Sequence, residues 1–214
     1  APWAGNAAAV PTPARPHGGC APMDDAALDH GQLTLPRHHL VWLEASRWSQ
    51  RLLHALPPGQ LAAAQRWFER GHPAVARRRQ PHEGPEGITL GIPLPPGRGR
   101  TRIALRLAPG AVLSMAAPPP LQDVIPSAPL PWRDPLTRLA AGADALGVTL
   151  RVYGSLLWQH LTGEQHITAH SDIDLLLRAG HTRQLHAVLM LLQTWQRDTG
   201  LRLDGELLLH GERA

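Results

Sequence analysis

Hydrophobic residues in this chain fall into short, interrupted groups up to residue 115 and into longer uninterrupted ones after residue 135. His39-Leu40-Val41-Trp42-Leu43 reads as a short strand. Helical spacing follows in Trp48, Leu52, Leu53 and Leu56, closed by Pro57-Pro58. A second helix is expected over Gln60–Arg70, with Leu61, Ala64, Trp67 and Phe68 on one face and Gly71 as its stop. Ala74–Arg79, Ile88–Ile92 and Arg102–Leu107 then read as strands divided by Pro/Gly turns. In the last of these Ile103, Leu105 and Leu107 alternate with Arg102, Ala104 and Arg106, the mark of a half-exposed strand with an arginine face. Beyond residue 135 the pattern predicts a helix over Leu136–Leu146, a strand over Val148–Tyr153 and a helix over Ser155–Leu161. A strand over Asp172–Leu177, a helix over Thr182–Trp195 and a strand over Leu201–Leu209 complete it. Strands alternating with helices over the last ~75 residues make a small α/β or α+β layer, and the chain as a whole is expected to be α+β.

Composition places the boundaries. All 22 prolines of the 214-residue chain lie at or before Pro135, so proline-free elements are confined to the C-terminal part. The expected organisation is a disordered Ala/Pro/Gly-rich leader (1–32), an N-terminal recognition domain (33–115), an extended Pro-rich linker (116–135) and a catalytic domain (136–214). The net charge of +4 is carried without a single lysine, since all 21 basic residues are arginines. They are scattered, with one run at Arg77-Arg78-Arg79, a distribution suited to an anionic ligand and not to nucleic acid. The one cysteine, Cys20, excludes an internal disulfide and fits a reducing, cytoplasmic setting. No apolar run reaches the ~20 residues that span a bilayer, so no membrane association is expected.

Two local signals carry chemistry. In Val152-Tyr153-Gly154-Ser155 a strand runs into a Gly-Ser turn that opens a helix. Gly154 would let a ligand approach the backbone, Ser155 could cap the helix with its hydroxyl, and the helix N-terminus favours phosphate. The same pattern also serves as an ordinary capping turn. In Ser171-Asp172-Ile173-Asp174-Leu175-Leu176-Leu177 a strand would project both carboxylates to one side. Two such acids beside an apolar run are costly unless a cation sits between them, and magnesium (or manganese), which takes carboxylate and phosphate oxygens, is the expected occupant. Solvated turn aspartates are the alternative. A third acid comes from Leu203-Asp204-Gly205-Glu206-Leu207, where Asp204 and Glu206 share one face. Asp204 is preferred, and Glu206 stays open.

The order Gly-Ser turn, Asp-x-Asp strand, helix, strand with a further acid resembles the nucleotidyltransferase superfamily over residues 148–209. The resemblance implies a C-terminal nucleotidyltransferase-like mixed sheet with helices, preceded by a smaller α+β domain. Arg151 to Gly163, with Gly154-Ser155-Leu156-Leu157-Trp158-Gln159 as its most specific part, narrows this further. So do Arg37-His38-His39-Leu40-Val41-Trp42-Leu43, Arg77-Arg78-Arg79-Gln80 and Gly91-Ile92-Pro93-Leu94-Pro95-Pro96. Over residues 36–209 the chain resembles the phosphoribosyl-dephospho-CoA transferase of malonate decarboxylase, also called its holo-acyl-carrier-protein synthase. The resemblance implies attachment of 2′-(5″-phosphoribosyl)-3′-dephospho-CoA to a serine of the apo acyl-carrier subunit, from the triphosphoribosyl-dephospho-CoA precursor, with release of pyrophosphate. It carries catalysis to Asp172 and Asp174, metal binding to Asp172, Asp174 and Asp204, and phosphate binding to Gly154 and Ser155. The acceptor of the seryl proton stays open. Another nucleotidyltransferase using a nucleoside triphosphate, and a non-catalytic binding homologue, are the rival readings.

Other residues are assigned to structure. His166 and His170, four apart in an expected loop, lack a third ligand nearby and are read as solvated. Trp42, Trp48, Trp67 and Trp195 are expected in the core, as is Trp158, with packing beside the site as its alternative. Arg77–Arg79 or the Arg102/Arg106 face is expected to contact the carrier or the dephospho-CoA moiety. The chain ends five residues after the last expected strand, where family members continue, and a shortened C-terminus would leave a strand edge unpaired.

Overall fold

A computed structural model describes residues 27–29, 32–94 and 102–208. Part of the expected leader is ordered as a two-stranded antiparallel hairpin, β1 (Ala27–Asp29) with β2 (Gln32–Thr34). Cys20 and the Leu94–Pro96 motif's last two residues lie outside the described residues.

The N-terminal part is a five-stranded antiparallel sheet in the order β6-β5-β4-β3-β7. Its strands are β3 (Leu40–Leu43), β4 (Ala74–Ala76), β5 (Ile88–Pro93), β6 (Arg102–Leu107) and β7 (Val112–Ala116). The alternation in β6 does what its pattern requires: Ile103, Leu105 and Leu107 are fully buried, while Arg102 and Ala104 face out. The expected helix from Trp48 is a single 3-10 turn, Trp48–Arg51. After it Leu53 pairs with the backbone of Arg106 instead of continuing the spiral. Helix α1 (Pro58–Glu69) starts with proline in its first turn, where the missing N–H costs nothing, and buries Ala64, Trp67 and Phe68.

The segment expected to be an extended linker is helical. It holds α2 (Leu121–Val124), a 3-10 turn at Ile125–Ser127 and the start of α3 (Leu130–Ala145). Four of the prolines begin these helices instead of preventing them, and Pro135 is accommodated inside α3. Pro120 and Pro129 occupy the caps, and Pro126 and Pro131 lie in first turns, where φ near −65° is already helical. Leu121 and Val124 are fully buried, and the stretch is stitched to β8 (Arg151–Tyr153) by Leu121 N–H to Leu150 O and Val152 N–H to Pro119 O.

The C-terminal sheet is mixed, in the order β10-β9-β8. β9 (Ile173–Arg178) is central, antiparallel to β8 and parallel to β10 (Leu203–Leu208). Helix α4 (Gly154–Thr162) follows β8 directly, and α5 (Thr182–Thr199) makes the crossover from β9 to β10 and packs on α3. One contiguous core runs through both parts. Trp67 of α1 meets Trp158 of α4 edge-on at 5.6 Å, with both nearly buried. Trp48 and Trp195 are buried as well, whereas Trp42 is only partly so. Among the described residues no helix is long and apolar enough to cross a membrane.

Candidate active site

The three strands of the C-terminal sheet bring the expected residues to one end and one face. Tyr153 of β8 lies opposite Asp174 of β9, and Asp204 of β10 lies beside Asp174 on the other side. Residues paired across strands share a face, so Tyr153, Asp174 and Asp204 project together, with Glu206 two positions further along the same face. Asp172 precedes β9 by one residue instead of lying in it. Its approach is fixed by Ile173 N–H to Arg202 O at 3.0 Å and by the Arg202 guanidinium on His170 O, which tie the starts of β9 and β10 together.

Asp174 is the centre of the arrangement. Burial first, then the neighbouring charges of Asp172 and Asp204, push its carboxyl up to about 6, while the backbone N–H of Ser155 and the charge of Arg102 act the other way. Gly154 has φ +66, and a Cβ there would run into the Asp174 carboxylate. Glycine is therefore required by a side chain of the protein itself as well as by the left-handed backbone. Ser155 plays a different part from the expected one: no side chain caps α4, and it is the Ser155 amide, in the first turn, that partners Asp174.

Asp204 and Glu206 differ in what holds them. Asp204 is exposed. Glu206 accepts from Arg37 at 2.5 Å through Oε1 and from His38 Nε2 at 3.0 Å through Oε2. Both of its oxygens are engaged, and His38 also stacks on Tyr153, with ring centroids 4.0 Å apart and planes at 29°. Burial lowers the His38 pKa, so the ring is neutral and its Nε2 carries the proton toward the carboxylate. Burial, followed by the charges of Glu206, Asp204 and Asp174, drives the Tyr153 phenol upward, so it stays protonated. Arg37, His38 and Tyr153 were not assigned from the sequence; the Glu206–His38 contact spans 168 positions and leaves no local trace.

The donor set can be tested against a divalent cation. Among the described residues no three His, Cys, Asp or Glu side chains are gathered closely enough to hold a metal on their own. A half-buried carboxylate raised by two neighbouring acids nonetheless fits an ion that takes one or two carboxylates and completes its shell from substrate phosphates. The expected solvated pair of histidines divides: His170 is exposed, whereas His166 is 5% exposed and held neutral by burial. The arginine run is largely spent on its own loop. Arg77 binds Glu83 at 2.8 and 2.5 Å, Arg79 donates to Gly87 O at 2.7 Å, and Arg106 reaches Gly84 O and Glu86 O.

Comparison with known proteins follows the same division. Residues 36–118 match the family model "Phosphoribosyl-dephospho-CoA transferase MdcG N-terminal domain", and residues 120–214 match the corresponding C-terminal domain model. A phosphoribosyl-dephospho-CoA transferase of Xanthomonas campestris pv. campestris strain 8004 is 44% identical over 173 residues, 81% of this chain and 79% of its own. That of Xanthomonas euvesicatoria pv. vesicatoria strain 85-10 is 40% identical over 83% of this chain and 82% of its own. The protein of the same name in Bradyrhizobium diazoefficiens is 37% identical, covering 84% and 79%. No solved structure gives a significant match. The boundary between the two family models falls between β7 and α2, where one sheet gives way to the other, and the relatives align across both: the chain belongs to the phosphoribosyl-dephospho-CoA transferase family.

Proposed function

We propose that this transferase moves the 2′-(5″-phosphoribosyl)-3′-dephospho-CoA group from its triphosphate precursor to a serine of the apo acyl-carrier subunit of malonate decarboxylase, in the cytoplasm. Family membership supports the transferase chemistry. The observation that carries the assignment of the site is Asp174, with a carboxyl raised to about 6 at the junction of a glycine turn, a helix N-terminus and two further acids. In the transfer a bond forms between the seryl oxygen and the α-phosphorus, the bond from that phosphorus to the β-phosphate bridging oxygen breaks, and pyrophosphate leaves with the electron pair. Magnesium or manganese, held by Asp174 with one of Asp172 and Asp204 and completed by substrate phosphates, would neutralise the triphosphate. Gly154 and Ser155, whose amide partners Asp174, set the α4 N-terminus beside the acids, where its positive end would favour the leaving phosphates. The serine belongs to the carrier, so no nucleophile of this chain is required. Asp174, the half-buried carboxylate at the centre of the site, is the proposed acceptor of the seryl proton.

The test is incubation of the protein with apo carrier, precursor and magnesium, read by intact mass. A mass gain equal to the prosthetic group is expected, and it should vanish with Asp172→Asn or Asp174→Asn. An unmodified carrier, or full activity in both variants, overturns the proposal. Turnover with common nucleoside triphosphates in its place would identify a different transferase.

A further inference from the structure

His38 is the one described residue other than glycine with a positive φ, 67°. Its backbone is pinned there by its N–H on Ala76 O at 2.9 Å. A left-handed histidine is uncommon, and such conformations persist where the surroundings over-determine them. The consequence is where the ring goes. Instead of following the alternation of β3, it leaves the N-terminal sheet and crosses onto the face of the C-terminal one. There it stacks on Tyr153 of β8 and meets Glu206 of β10, the two strands on either side of Asp174. Those strands are about 9–10 Å apart, two strand spacings. One imidazole therefore bridges across the strand that carries the central acid, and Arg37 holds the remaining oxygen of Glu206.

The geometry points to Arg37 and His38 as positioning residues for the transfer, supplied by the N-terminal domain. By clamping Glu206 they fix β10, and with it Asp204, at the level of Asp174, and they keep a fourth negative charge engaged away from the phosphates. By bracing Tyr153 they hold the turn at Gly154 against the Asp174 carboxylate. Neither residue touches reacting atoms; each acts through the strands it grips. The inference rests on the function proposed above.

The test uses the full chain and exploits Tyr153 as its sole tyrosine. His38→Gly keeps the backbone conformation and removes the ring, while His38→Gln returns an amide N–H near the Nε2 position, from which Glu206 accepts. His38→Gly should lower kcat about 10- to 100-fold, the scale expected for a small misplacement of reacting groups, with KM for precursor and carrier changed less than about threefold. His38→Gln should recover at least about fivefold of that loss, which a merely structural contact would not require. Ring-labelled tyrosine gives one NMR signal, which should move in His38→Gly as the stacked imidazole is lost, and move less in Glu206→Gln. If His38→Gly does not fold, Glu206→Gln carries the same kcat prediction. A kcat within twofold of wild type in the folded variants, or an unmoved Tyr153 signal, overturns the inference. A wild-type protein that transfers nothing refutes the proposed function instead, and the tyrosine signal then still decides whether His38 braces Tyr153.

Discussion

Replacing Asp174 with asparagine should make the metal-free protein more stable while abolishing transfer. Its carboxyl is raised from 3.8 to about 6, chiefly by burial and then by Asp172 and Asp204. Because the folded-state value lies above the unfolded one, the wild type carries no penalty below the unfolded pKa. The penalty grows as pH rises through this window and is complete above about 6. About two pH units at ~1.4 kcal/mol each set an upper bound near 3 kcal/mol, and partial solvent access reduces this to about 1–2 kcal/mol. Asparagine has nearly the same shape, keeps an oxygen for the Ser155 amide and carries no charge. In chelator at pH 8, Asp174→Asn should therefore melt roughly 2–8 °C above wild type, using ~2–4 °C per kcal/mol for a chain of this size. The difference should shrink steadily toward pH 4. Added magnesium should raise the wild-type Tm and leave the variant where it is. Thermal scans across that pH range decide the matter. A variant that melts at or below wild type at pH 8, with its fold intact, would refute the account of Asp174 as a strained, cation-seeking carboxylate.

Gly154→Ala combines a left-handed backbone with a collision at Asp174; it should cost about 1–3 kcal/mol of stability and at least ~100-fold in transfer rate. Melting temperature and carrier mass gain check it, and wild-type activity would contradict the packing described. Trp158→Ala should lose about 3–5 kcal/mol, the range for emptying a buried aromatic site, measured by denaturant unfolding; a loss below ~1 kcal/mol would show that Trp67 and Trp158 do not share a core.

Much of the site was legible because its determinants are short-range. The step from an apolar strand into Gly154-Ser155 and the Asp172-x-Asp174 strand start are readable within a few residues, and the structure sets them side by side through β8–β9 pairing. The different settings of Asp204 and Glu206 were not readable, since strand alternation gives both the same face. Arg37 and His38 reach Glu206 from the far end of the chain. Gly154 was assigned to ligand approach, whereas the atom that approaches is a carboxylate from a strand yet to come. The Pro-rich stretch was misread for a different reason. Proline blocks the interior of a helix but favours its first turn, and four of these prolines stand at starts and caps. His166 shows the same limit: its burial depends on what packs over the loop and not on the loop's own polarity.

The edge contact between Trp67 and Trp158 has a thermodynamic corollary. The two rings cover each other, so loss of packing in either half would uncover aromatic surface on its neighbour. The two segments that family models separate are therefore expected to unfold in a single transition, which coincident melting curves from two probes would check. Division near residue 119 would yield two fragments that each need the other as solvent for a tryptophan. Because Trp158 sits on the helix whose first turn meets Asp174, pressure for a well-packed N-terminal domain is also pressure on the chemistry.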